Sequence, residues 1–143
     1  AYAYNLAHKI YSKNHEFNEF QFVILLPSGT EEQARNIEEK LKEIATTDSW
    51  HFAFGAEEDI NNVFQSLKSN LALDANFSTP YVFIIDKERN LRGRDDDDDE
   101  GVMYGFDSST IAEINNKMSD DVKVLLAEYR RALKKYNTAD REI

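Results

Sequence analysis

The chain has 143 residues, with 27 acidic against 17 basic side chains, a formal charge of -10 and no cysteine. That length suits one domain with one buried core. The charge argues against a nucleic-acid phosphate surface as partner and fits a cationic partner or metal ions better. Without cysteine, disulfides, thiolate nucleophiles, thiol redox chemistry and thiolate metal sites are all excluded. An aromatic content of 12% and clear apolar runs argue for a folded chain. No apolar run approaches the ~20 residues of a membrane helix. The start, Ala1-Tyr-Ala-Tyr4, has neither an initiating Met nor a charged leader region, as expected of a trimmed fragment or a mature form.

In chain order, Ala3, Leu6, Ala7, Ile10 and Tyr11 recur at helical spacing and predict an amphipathic helix ending near Lys13. The polar stretch Ser12 to Glu16 breaks it. Phe20 to Leu26 reads as a buried strand stopped by Pro27-Ser-Gly29. Thr30-Glu-Glu-Gln33 has capping-box spacing, and the helix it opens carries an apolar stripe of Ala34, Ile37, Leu41 and Ile44. Trp50, Phe52 and Phe54 alternate with His51 and Ala53, the pattern of a strand with one apolar face, which Gly55 stops. Ile60, Val63, Phe64 and Leu67 then predict a helix from about Glu57 to Lys68.

Tyr81 to Ile85 is an uninterrupted apolar run, expected as a central strand covered on both faces, with Pro80 at its entrance where a missing N–H costs least. Lys87 to Asn90 reads as a turn, capped by Asp86, and Leu91 to Arg94 as the returning arm of a hairpin. An acidic loop runs from Asp95 to Gly105. After Asp107-Ser-Ser-Thr110 a long helix is expected, with Val122, Leu125, Leu126, Tyr129, Leu133 and Tyr136 as its buried stripe and Lys134 and Lys135 complementing its C-terminal dipole. The alternation of helices and strands predicts an α/β fold: a mixed, mainly parallel sheet closed by a C-terminal β-hairpin, with helices on both faces.

Three stretches go beyond architecture: Phe22-Val-Ile-Leu-Leu-Pro-Ser-Gly-Thr-Glu-Glu32, Asp48-Ser-Trp-His-Phe-Ala-Phe-Gly55, and the hairpin running from Phe77 through Asp86-Lys-Glu-Arg-Asn-Leu-Arg92. In order and spacing, over roughly Phe20 to Tyr136, they resemble the Sco/SenC family of thioredoxin-like, membrane-tethered copper chaperones. The resemblance implies a thioredoxin-like fold and a place in the cell envelope or periplasm, with any membrane tether upstream. It also implies a Cys-x-x-x-Cys turn and a metal-binding histidine before the hairpin strand; this chain has no cysteine, and the histidine position falls at about Phe77 or Ser78. Copper binding is therefore not expected of these residues. Thioredoxin-like proteins place a cis proline at the entrance of this strand, which makes Thr79-Pro80 a candidate cis bond.

One spacing points to a cation. With Asp96 as the first position of an EF-hand-like loop, Asp98, Glu100, the Val102 carbonyl and Asp107 fall where calcium ligands would, Gly101 permits the sharp turn and Met103 follows it as the apolar residue. Position 12 is Asp instead of Glu, and the loop follows a strand, so a solvated acidic loop is the competing reading. His8, His15 and His51 have no zinc spacing. Ser108 and Ser109 lack a nucleophile elbow, and no glycine-rich phosphate loop exists.

The expected function is a non-catalytic binding or assembly module of the cell envelope with a protein partner. Two alternatives stand beside it: a copper or thiol-redox protein whose cysteines lie on a missing N-terminal segment, and a calcium-binding domain.

Overall fold

The computed structural model describes residues 2–11, 20–44, 47–98 and 101–142. It is a mixed α/β arrangement. Helix α1 (Tyr2–Leu6) continues as a π-helical turn (Ala7–Tyr11). Strand β1 (Phe22–Pro27) is joined by helix α2 (Glu31–Lys42) to β2 (Trp50–Gly55), and helix α3 (Glu57–Ser66) follows. Six short strands come next: β3 (Tyr81–Val82), β4 (Ile84–Ile85), β5 (Leu91–Arg92), β6 (Arg94–Asp97), β7 (Gly101–Met103) and β8 (Phe106–Asp107). Helix α4 (Ile111–Glu113) runs through a π-helical turn (Ile114–Met118) into α5 (Ser119–Glu142). No helix among the described residues is long and apolar enough to cross a membrane. The polar break at Ser12 to Glu16, with His15, lies outside the described residues, as does Glu100.

Among the described residues the expected mainly parallel sheet is replaced by four separate two-stranded ladders. Of these only β1–β2 is parallel, with Phe22 opposite Trp50 and Pro27 opposite Gly55. The run Tyr81 to Ile85 is not one central strand. It is interrupted at Phe83, and its two halves take different antiparallel partners: Tyr81 and Val82 pair with Asp107 and Phe106, while Ile84 and Ile85 pair with Arg92 and Leu91.

Two glycines permit this division. A Cβ on Gly93 would lie 2.3 Å from the Met103 carbonyl oxygen and 2.6 Å from the Tyr104 ring, so only glycine lets the returning arm press against the incoming β7 segment. A Cβ on Gly105 would lie 2.7 Å from Leu71 Cδ1 and 3.1 Å from Phe83 Cε1.

The core gathers Leu6, Ala7 and Ile10 of the first helix with Leu41, Trp50, Ile84, Met103, Phe106, Ile114, Met118 and Val122. Leu125 and Leu126 pack against it as half-buried neighbours. Each large apolar side chain fully withdrawn from water contributes roughly 1.5–3 kcal/mol before entropy is counted. One polar contact crosses this core: Asn5 Nδ2 donates to the Ser108 carbonyl at 2.9 Å, satisfying both groups where water does not reach.

Several local expectations need correction. Thr30 makes no capping hydrogen bond; its hydroxyl donates to the Pro27 carbonyl at 2.7 Å, and the Glu31 carboxylate takes the Gly29 amide at 2.9 Å. The tight Pro27-Ser-Gly29 turn thus captures the groups that a capping box would use. In the helical stripes, Ala34, Leu41, Ile60 and Phe64 are inside, but Ile37, Ile44 and Val63 are exposed.

Candidate functional site

The hairpin β4–β5 is closed by its own carboxylate. Asp86 accepts the Asn90 amide at 2.9 Å, its backbone amide donates to the Asn90 carbonyl at 3.0 Å, and Arg89 between them has φ of 67°. The Asn90 amide, followed by the Arg92 guanidinium and the other bonds of the turn, outweighs burial and holds the Asp86 carboxyl below the ordinary carboxylate range. Asp86 is a turn cap, as the sequence led us to expect.

The hairpin and the β6 strand that follows it are tied to α5 by two guanidinium groups, Arg92 on β5 and Arg94 on β6. Arg92 donates to both oxygens of Glu128 at 2.8 and 2.9 Å and meets Asp86 at 3.3 Å. Arg94 donates to both oxygens of Asp121 at 3.0 and 2.6 Å and to the Lys117 carbonyl at 3.0 Å. These carboxylate bonds raise both guanidinium pKa values, Glu128 being the first cause at Arg92 and Asp121 at Arg94. Lys87 Nζ completes the series, 5.2 Å from the centre of the Tyr129 ring.

The acidic loop is drawn into this lattice at a residue that the EF-hand spacing passes over. The Asp97 side chain is only 4% exposed, and it receives Lys117 Nζ at 2.9 Å and Arg94 at 3.6 Å. Asp96 and Asp98 are exposed on either side of it, and the turn uses Gly101 at φ 72°. Asp107 Oδ1 is engaged by the Ser109 amide and hydroxyl at 2.9 and 2.6 Å. Val102 is exposed, whereas Met103 belongs to the core. Among the described residues no group of three or more carboxylates or imidazoles gathers as a metal ion requires.

The Thr79–Pro80 bond is trans, and no peptide bond among the described residues is cis. The Pro80 carbonyl is held by Ser108, which donates both its amide and its hydroxyl to it. The trans isomer agrees with the intrinsic preference of X–Pro bonds. Ser108 is consequently a buried structural donor. His8 and His51 are exposed.

What the sequence did not single out is the outer face of the β1–β2 ladder. On the inner face, Phe22 and Trp50 stack with ring centres 4.6 Å apart. A cleft of about 150 Å³ lies between that face and α2, lined by Ile24, Leu26, Ala34, Leu41, Trp50 and Phe52. The odd-numbered residues of β1 point the other way: Val23 is 58% exposed and Leu25 39%, beside exposed His51 and Ala53 on β2. Parallel strands are ordinarily covered on both faces. No strand other than β2 joins β1 among the described residues. The expectation of a strand buried throughout Phe20 to Leu26 therefore fails on one face. No polar residue interrupts Phe22 to Leu26, so the pattern carried no sign of which face would stay open.

Comparison with known proteins returns no match: no family model, no curated protein and no solved structure matches this chain.

Proposed function

We propose that this chain is a non-catalytic, thioredoxin-like binding or assembly module of the cell envelope, related to the Sco/SenC proteins but working without their copper ligands. Its docking surface is the outer face of β1–β2. The observation that carries this reading is the exposure of Val23 and Leu25 on a parallel ladder, the class of strand least suited to water on either face. An apolar partner segment covering them would gain up to roughly 1.5–3 kcal/mol per side chain fully withdrawn from water. Among the described residues no further strand pairs with β1, and an extended peptide laid along it would add main-chain hydrogen bonds. The absence of cysteine supports a binding role over a thiol-redox one.

Selection from a displayed library of random peptides tests the proposal. Enriched peptides should carry apolar residues at alternate positions and should lose binding to a Leu25→Lys variant that keeps its circular dichroism spectrum. Peptides that bind wild type and Leu25→Lys equally would overturn it.

A further inference from the structure

The helix α5 outruns the body that it packs on. Val122 is buried and Leu125, Leu126 and Tyr129 are half-buried, but from Arg130 to Lys135 every side chain is exposed. Leu133 continues the same stripe and is 43% exposed. Four of those six residues are cationic, Arg130, Arg131, Lys134 and Lys135, and none is acidic, in a chain whose net charge is -10. An apolar stripe that continues beyond its own core and is flanked by cations asks for a cover that is both apolar and acidic.

A surface of that chemistry exists on the molecule itself, at the other end. On hairpin β6–β7, Val102 is 57% exposed and Tyr104, just beyond it, 38%, beside the exposed carboxylates Asp95, Asp96 and Asp98. The contacts from the π-helical turn through α5 fix the direction. Asp97 meets Lys117, Arg94 meets Asp121, Arg92 meets Glu128 and Lys87 lies over Tyr129. Proceeding along the helix therefore leads away from β6–β7 toward the Lys87 turn and then past it. From Asp121 to Lys134 the helix advances about 20 Å, well beyond the screening length of about 8 Å at physiological salt. The tail cannot neutralise its own hairpin.

We infer that the C-terminal end of α5 docks on the β6–β7 hairpin of a second copy of this chain, Leu133 covering Val102 and Tyr104 while Arg131, Lys134 and Lys135 face Asp95, Asp96 and Asp98. The contact joins two different patches, so it is head-to-tail and leaves a free tail and a free hairpin on each pair. Copies accordingly add in a row unless the row closes into a ring. Repulsion between the acidic bodies acts at longer range than the end contact, so moderate salt screens it first, and high salt removes the contact itself. This surface is separate from the β1–β2 face, and the inference stands or falls without it.

Sedimentation velocity over a range of concentrations is the test. At about 0.1 M salt the mean mass should rise with concentration above the 16.5 kDa of one chain, and at about 1 M salt it should return to that value. A tail variant (Arg131→Glu, Lys134→Glu, Lys135→Glu) and a hairpin variant (Asp95→Lys, Asp96→Lys, Asp98→Lys) should each stay monomeric. Mixed in equal amounts they should associate again, since each then offers charges opposite to the other's; that rescue also certifies that both are folded. Should a variant fail to fold, zero-length carbodiimide coupling of the wild type must join Lys134 or Lys135 to Asp95, Asp96 or Asp98 between chains. A wild type that stays monomeric at every salt concentration overturns the inference, as do charge variants that associate like the wild type. A monomer that floats with phosphatidylserine vesicles overturns it in favour of a lipid surface.

Discussion

The β1–β2 ladder and the β4–β5 hairpin are both two-stranded, yet they meet the helices beside them through different physics. The ladder meets α2 through apolar side chains around a cleft of about 150 Å³, and it leaves Val23 and Leu25 of β1 exposed. The hairpin and the β6 strand that continues it are tied to α5 by Arg92, one terminal nitrogen of which reaches both Glu128 oxygens, and by the bidentate fork of Arg94 on Asp121, and they are backed by the core residues Ile84, Met103 and Phe106. Fork geometry fixes register and orientation, because five donors in one plane accept few arrangements of a carboxylate. Apolar contact fixes neither. The difference assigns the hairpin to architecture and leaves Val23 and Leu25 of the ladder uncovered.

The largest effect on this contrast is expected from Gly93→Ala. The added Cβ meets a backbone oxygen at 2.3 Å, and a backbone oxygen cannot swing aside as a side-chain tip can. A loss of about 3 kcal/mol or more in urea unfolding is expected, at the upper end of overpacking costs. Next comes Arg94→Ala. It leaves Asp121 and the nearly buried Asp97 short of a cation, and should cost about 2 kcal/mol. Arg94→Lys should restore only part of that, since a point charge cannot make the fork. Arg92→Ala, at a pair where Glu128 is half exposed, should cost less than about 1 kcal/mol. Equal losses at Arg92 and Arg94 would contradict the greater weight given to the more buried pair at Arg94.

Acid separates the regions further. Because the folded Asp86 carboxyl titrates below its ordinary value, its contribution is fully present above the unfolded pKa of 3.8 and is lost as pH falls through the lower folded value. Asp86→Asn should therefore be less stable than wild type at neutral pH, and the difference should shrink below about pH 4. Melting curves of both proteins from neutral to strongly acid pH check this. A difference that stays constant across that range would contradict the assignment of Asp86 as a charged cap.

Much of the local structure was legible in the sequence. The helices at Glu31–Lys42 and Glu57–Ser66 and the one that begins at Ile111 lie where their apolar spacing put them, because spacing reports local periodicity. The Asp86 turn was legible for the same reason: its partner is four residues away. What was hidden depends on contacts distant in sequence. Gly93 reads as an ordinary hairpin glycine until Met103 and Tyr104 are brought against it. Val82 and Ile84 look alike in the chain, yet one pairs with Phe106 and the other with Arg92. Among the five consecutive aspartates, nothing in the spacing marks Asp97 as the one that Lys117 and Arg94 would enclose. The open face of β1 was hidden because whether an apolar strand is covered depends on what packs over it, and that is not written in the strand.

The smallest expected effect on stability is also the most informative. Val23→Lys replaces a side chain that is already mostly in water and should shift unfolding by less than about 1 kcal/mol. Isothermal titration of a library-selected peptide into wild type, Val23→Lys and Arg92→Ala tests the central claim directly. The account predicts at least about tenfold weaker binding to Val23→Lys and unchanged binding to Arg92→Ala. Equal affinity for wild type and Val23→Lys, or a loss confined to Arg92→Ala, would contradict it.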